Sequence, residues 1–281
     1  MNALMRWKKC YWGGARCYGA LLLAMLSINA WAGCSRPIVV PAAPTGFNVQ
    51  IEGDQVRGVF PEFLTQVGNA AGCTFKFPIF PRARSDLMFF KTFDADVLIP
   101  ASQTSERDQK AQFVHWLNLT PSLITLKSQP DGVSDLAGLL GKTKWRAAVV
   151  RSYSWGDEYD ELVRKLKNEQ RIDFVADLAT VGRLLRAGRV EFTILPPTLL
   201  YSALENNGRS NDADDEFRYI RLDGLPRAKV GAYLSRNALP PADLDLLKEG
   251  MHKASRDGSL MKILERYYPP SVIHADVVLN N

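Results

Sequence analysis

The chain has 281 residues, 46% of them hydrophobic and 23% charged, with four cysteines, three histidines and a formal net charge of +5. Arg6, Lys8, Lys9 and Arg16 supply four of those excess positive charges, with no acid among them. The rest of the chain is nearly neutral and has no extended basic surface to release counterions from a phosphate backbone, which argues against nucleic-acid binding.

Residues 1–32 read as a secretory leader: the basic start, an apolar core from Ala20 to Ile28, and Ala30-Trp31-Ala32 at its end. That core is about half the roughly 20 residues a helix needs to cross a bilayer, so a cleaved leader and a soluble periplasmic product are expected. The alternative is lipid attachment at Cys34, because Ala32-Gly33-Cys34 has the small residues of a lipoprotein signal, although Trp31 stands where that signal prefers Leu. Cys10 and Cys17 leave with the leader, so Cys34 and Cys73 remain in a compartment where disulfides persist. They precede two apolar strands, and strands that begin side by side bring the sulfurs within reach of each other. A lipidated Cys34 with a free, buried Cys73 is the other reading.

In chain order, Ile38-Val39-Val40 forms a strand, Phe60, Phe63, Leu64, Val67 and Ala71 share one helical face, and Phe75, Phe77 and Ile79 alternate as a strand. A segment from Arg82 to Phe90 leads to Asp96-Val97-Leu98-Ile99, an apolar run suited to a buried strand. A second alternating set follows Pro130-Asp131-Gly132: strands at 147–150, 172–175 and 190–194, with helical faces around Tyr159 to Leu166 and Leu178 to Leu185. Residues 205–216, rich in Asn and Asp, read as a surface loop. A strand at 229–234 and two helical faces, Leu244 to Ala254 and Leu260 to Tyr267, close the pattern, with Ser259 as the expected cap of the last helix. Strands alternating with helices predict an α/β protein with ligand chemistry at the carboxyl ends of the strands.

This order, together with several local phrases, resembles the family 3 periplasmic solute-binding proteins, whose best-known members bind polar amino acids for ABC importers. The phrases are Gly58-Val59-Phe60-Pro61-Glu62-Phe63-Leu64, Thr104-Ser105-Glu106-Arg107 followed by Phe113, Leu136 to Lys142, and Ala254-Ser255-Arg256-Asp257-Gly258-Ser259-Leu260 through Tyr267. Pro81-Arg82-Ala83-Arg84 is similar to a divergent branch in which transport has often been assumed. The resemblance implies a two-lobed type II periplasmic-binding-protein fold, with the ligand cleft between lobes joined by two hinge strands. It places lobe 1 at 34–119 plus 228–272 and lobe 2 at 120–227.

The resemblance also assigns Arg107 to the ligand carboxylate, a role that suits a guanidinium with its fork of parallel donors. Ser102 and Thr104 lie on the same loop as hydroxyl donors. Arg82 and Arg84 follow the second strand and are further candidates. From the second lobe, Ser152, Tyr153 and Ser154 occupy the place of backbone and hydroxyl donors, in a loop that leads into a helix start. Where amino-acid binders carry an acid for the ligand ammonium, this chain has Pro196. The expected ligand is therefore small, polar and carboxylate-bearing, with ordinary amino acids demoted.

His115, His252 and His274 have no metal-ligand spacing, and no nucleophile elbow is present. No enzymatic activity and no cofactor are expected. The expected partners are a small-molecule ligand and an ABC permease or, alternatively, a membrane sensor; the protein itself is expected to be a monomer.

Overall fold

The computed structural model describes residues 33–130, 132–205 and 216–279. The expected leader and most of the Asn/Asp-rich loop lie outside them. Among the described residues, no helix is long and apolar enough to cross a membrane.

The chain opens with β1 (Ile38–Val39), a hairpin of β2 (Gln50–Glu52) and β3 (Gln55–Arg57), then α1 (Val59–Ala71) and β4 (Phe75–Lys76). The predicted pairing of the first strands is present: β1 and β4 run parallel, with Ile38 opposite Phe75. That register closes a disulfide between Cys34 and Cys73, whose Cα atoms lie 4.8 Å apart. In the chain-entropy model a loop of this length stabilises the native state by about 3–4 kcal/mol. Helix α1 ends at Gly72, whose φ of 69° suits a residue without a Cβ.

The segment expected to lead from Arg82 to the next strand is helical: α2 (Arg82–Leu87) continues into a π-helical turn, Met88–Thr92. Next come β5 (Val97–Ser102), the short α3 (Ser105–Asp108), β6 (Gln112–Leu119) and β7 (Ser122–Leu126). Asp96, which precedes β5, is buried. Its carboxylate accepts hydrogen bonds from Arg36 at 2.6 and 2.7 Å and from Val39 N at 2.8 Å, which ties the start of the chain to β5.

Beyond β7 lie α4 (Leu136–Gly141), β8 (Ala147–Val150), α5 (Asp157–Asn168), β9 (Ile172–Val175), α6 (Leu178–Arg186), β10 (Phe192–Leu195), α7 (Pro197–Glu205) and β11 (Phe217–Arg221). Asp135 and Asp177 cap α4 and α6 by accepting from Gly138 N and Thr180 N, both at 2.7 Å. The chain finishes with β12 (Ala228–Leu234), α8 (Pro241–Arg256), α9 (Ser259–Tyr267), α10 (Pro270–Asp276) and β13 (Val278–Leu279). The expected cap at Ser259 is corrected: Ser259 is the first helical residue, and its N–H donates to Asp257 Oδ1 at 2.8 Å.

Two larger sheets organise these elements, the first with antiparallel pairings throughout and the second mixed. One has the order β13-β6-β12-β5, the other β11-β7-β10-β8-β9. The chain passes from the first to the second between Leu119 and Ser122, and returns between Arg221 and Ala228. The return strand β12 inserts between β5 and β6, antiparallel to both. On the first sheet Trp116 is fully buried, with its ring 5.5 Å from Phe60 and 5.0 Å from Phe63 of α1. Burying side chains of this size stabilises by about 2–3 kcal/mol each.

Candidate functional site

The carboxyl end of β5 and the carboxyl end of β8 face one another across a cleft. From the first sheet come Pro100, Ala101 and Ser102, followed by Thr104, whose hydroxyl caps α3 by accepting from Arg107 N at 3.2 Å. Tyr233 of β12 fixes this loop from behind: its hydroxyl donates to Asp108 Oδ1 at 2.7 Å and accepts from Thr104 N at 3.2 Å. Short loops after parallel strands are where open α/β sheets place ligands, because strand ends expose free backbone groups there.

Arg107 lies at the centre, with its side chain 13% exposed. It donates to Ser102 O at 3.1 Å and, across the cleft, to Ser152 O at 3.4 Å. Ser152 has a φ of 67°, unusual for a residue with a Cβ, and strain of this kind gathers at functional sites. The guanidinium also lies 5.9 Å from the ring centre of Phe90. Burial lowers the Arg107 pKa, with nearby Asp86 opposing that effect and Arg82 adding to it.

Arg82 and Arg84 part company. Arg82 is buried; it donates to Pro100 O at 2.7 Å and lies 3.0 Å from Asp86 Oδ1. Arg84 is exposed and lines neither cavity of the cleft. Two residues apart on a helix, side chains point about 200° away from each other, so one in-facing arginine puts the other outside.

On the opposite wall, the Tyr153 hydroxyl is hydrogen-bonded to Thr45, and burial pushes its pKa up. Ser154 is already engaged: its hydroxyl donates to Asp160 Oδ2 at 2.9 Å and accepts from Gly156 N at 3.3 Å. Ser152 meets Arg107 through a carbonyl, an acceptor. Trp155 donates to Ile194 O at 3.2 Å and supports the wall from beneath. Asp160 has its carboxyl pushed up by burial, with the Ser154 hydrogen bond and the charge of Arg107 pulling it back.

These residues bound two connected spaces. An inner cavity of about 30 Å³ is lined by Thr45, Asn48, Arg82, Ser102, Arg107 and Tyr153 among others. It has room for one or two waters. An outer groove of about 440 Å³, the size of a small-molecule site, is lined by Asp86, Phe90, Thr104, Arg107, Tyr153 and Asp160 among others. Sequence reasoning missed both Asp86 and Asp160. Asp86 was visible as the i+4 partner of Arg82 had the segment been read as a helix; nothing local marks Asp160 as facing Arg107. They supply negative charge near the cleft although Pro196, which precedes α7, does not.

Among the described residues, no group of three His, Cys, Asp or Glu is arranged to hold a metal ion. The Nε2 atom of His115 lies 3.0 Å from Leu117 O, on the strand rather than in the cleft.

No family model matches the chain, and no curated protein does. Solved structures do. A histidine kinase sensor domain with similarity to periplasmic binding proteins superposes with a TM-score of 0.67 at 16% identity, over 83% of this chain and 96% of that one. The arginine-, lysine-, histidine-binding protein ArtJ from Geobacillus stearothermophilus gives 0.67 at 14% identity, over 85% and 99%. The ancestral amino acid-binding protein AncCDT-1, a precursor of cyclohexadienyl dehydratase, gives 0.64 at 14% identity, over 83% and 95%. Identities this low carry the architecture alone: the chain has the mixed α/β, type II fold of periplasmic binding proteins.

Proposed function

We propose that this chain is an exported binding protein that closes over a small polar ligand bearing a carboxylate, an amino acid or related organic acid, and delivers it to an ABC-type importer. The observation that carries the reading is Arg107, a largely buried guanidinium between loops of both sheets. Its hydrogen bonds to Ser102 O and Ser152 O hold the fork in place and leave further donors for a ligand carboxylate. In this reading the halves 34–119 plus 228–272 and 120–227 move about the two crossings, and ligand that bridges both walls biases the equilibrium toward closure. Asp86 and Asp160 bring back the counter-charge that Pro196 lacks, so a zwitterion returns as a candidate.

A thermal-shift screen of the purified protein against amino acids, small carboxylates and oligopeptides tests this, because a ligand selective for the native state raises the melting temperature. A hit that Arg107→Ala weakens at least tenfold supports the reading. A hit indifferent to Arg107 removes the proposed clamp.

The second reading is a ligand-sensing domain that signals to a membrane receptor, favoured by the likeness to a histidine kinase sensor domain. Co-purification from detergent extracts separates the two: a permease in the eluate supports import, a sensor kinase supports signalling.

A further inference from the structure

We propose that Asp86 is the specificity-determining residue of the cleft, an internal carboxylate that competes with an incoming carboxylate for Arg107 and Arg82. The proposal rests on the cleft being the ligand site and goes on to say which anions that site refuses. Asp86 projects from α2 with its side chain 18% exposed, its Oδ1 3.0 Å from Arg82 Nε and its Oδ2 3.6 Å from Arg107 Nη2. Both arginines are more deeply buried than the acid they share, at 7% and 13%. Arg107 is thus already facing a carboxylate, and that carboxylate belongs to the protein.

The pairing is incomplete in a way that leaves room for exchange. Arg82 Nε and Asp86 Oδ1 are buried and lie within ion-pair distance, yet neither makes a hydrogen bond. An ion pair at 3.0 Å that lacks hydrogen-bond alignment is weaker than an aligned one, so a ligand oxygen that aligns with the arginine donors competes with it. A ligand oxygen entering between the arginines meets unused donors on one side and the fixed negative charge of Asp86 on the other.

That arrangement sets a charge limit. Two buried guanidinium groups alone would favour a dianion. Asp86 offsets one of them, and Asp160, across the groove and close enough to act on Arg107, offsets the other. Lys110 on the rim is paired with Glu106, which leaves Lys91 as the remaining cation of the groove. A ligand with one carboxylate on a neutral or zwitterionic body can satisfy Arg107. A second carboxylate in the cleft would lie against Asp86 or Asp160, and like charges at such separations oppose each other strongly when water is excluded. Rejection by a placed like charge is an ordinary route to specificity.

Calorimetry with lactate, succinate, monomethyl succinate and an amino-acid panel tests this on the wild-type protein and on Asp86→Asn. In wild type, monomethyl succinate should bind at least tenfold tighter than succinate. In Asp86→Asn the affinity for succinate should rise at least tenfold more than that for lactate, and adding Arg107→Ala should abolish the gain. Wild-type succinate binding equal to or tighter than that of the monoester overturns the proposal, and this comparison stands even if Asp86→Asn does not fold. A succinate-to-lactate ratio in Asp86→Asn within twofold of wild type overturns it too. If amino acids bind through Arg107 while either of those results is obtained, the role of Asp86 alone falls. If no compound binds wild type or variant, the ligand reading falls with it.

Discussion

Ser105 and Asp157 join the two walls of the cleft directly: the Asp157 carboxylate accepts from Ser105 N at 3.0 Å and from Ser105 Oγ at 2.5 Å. Each residue is the first of a helix, the short α3 on one side and the longer α5 on the other. Every bond of this contact depends on the walls being together. With the Arg107 bond to Ser152, it joins the walls without a ligand. Asp157→Ala should therefore shift the ligand-free protein toward an open form, read as a larger radius of gyration by small-angle X-ray scattering. Because the pair is exposed, the change in unfolding free energy should stay below about 1 kcal/mol. An unchanged scattering profile would show that the contact does not hold the walls.

A buried acid braces the first crossing between the sheets. Asp276, at the end of α10, accepts from Thr120 N at 2.8 Å, Thr198 N at 3.1 Å and Thr198 Oγ1 at 2.5 Å, so it ties the first crossing to the start of α7. Burial pushes its carboxyl up to about 6 against the pull of those donors. Between the ordinary carboxylate value and 6 the native state binds the proton more tightly than the unfolded chain does. The contribution of Asp276 is thus fully present at acid pH and is lost as pH rises through 6. Urea unfolding at intervals from pH 4.5 to 7.5 should show wild-type stability falling relative to Asp276→Asn, by about 2 kcal/mol. Parallel curves would rule out titration of this group in that range.

Gly231 sits where β12 bulges against β6, and a Cβ there would fall 1.9 Å from Val114 O. The obstacle is backbone of the central strand pair and cannot rotate away as a side chain would. Gly231→Ala should lose about 3 kcal/mol of stability by strand displacement. A urea midpoint within experimental error of wild type would mean that β12 shifts freely.

Most of the elements follow from local chemistry. The helical faces of α1, α5, α6, α8 and α9 and the apolar strands β8, β9 and β12 appear as periodicities of 3.6 and 2, because each must present one side to a core wherever that core lies. The disulfide was also legible, since the other two cysteines lie in the expected leader and Cys34 and Cys73 both precede strands that pair. The segment carrying Arg82, Asp86 and Phe90 was harder. Its charges interrupt the apolar period, and without a helical reading nothing separates the in-facing Arg82 from the out-facing Arg84.

Local chemistry is enough for the alternation of strands and helices and for the closeness of Arg107, Ser102 and Thr104 in the chain, although Ser102 ends β5, Thr104 caps α3 and Arg107 lies within α3. That Asp86 shares two arginines, that Tyr153 reaches Thr45 and that Ser105 meets Asp157 depends on long-range packing. These partners come from separate elements of the fold, and their distances are set by how the two sheets face one another, a property that no local window of residues contains.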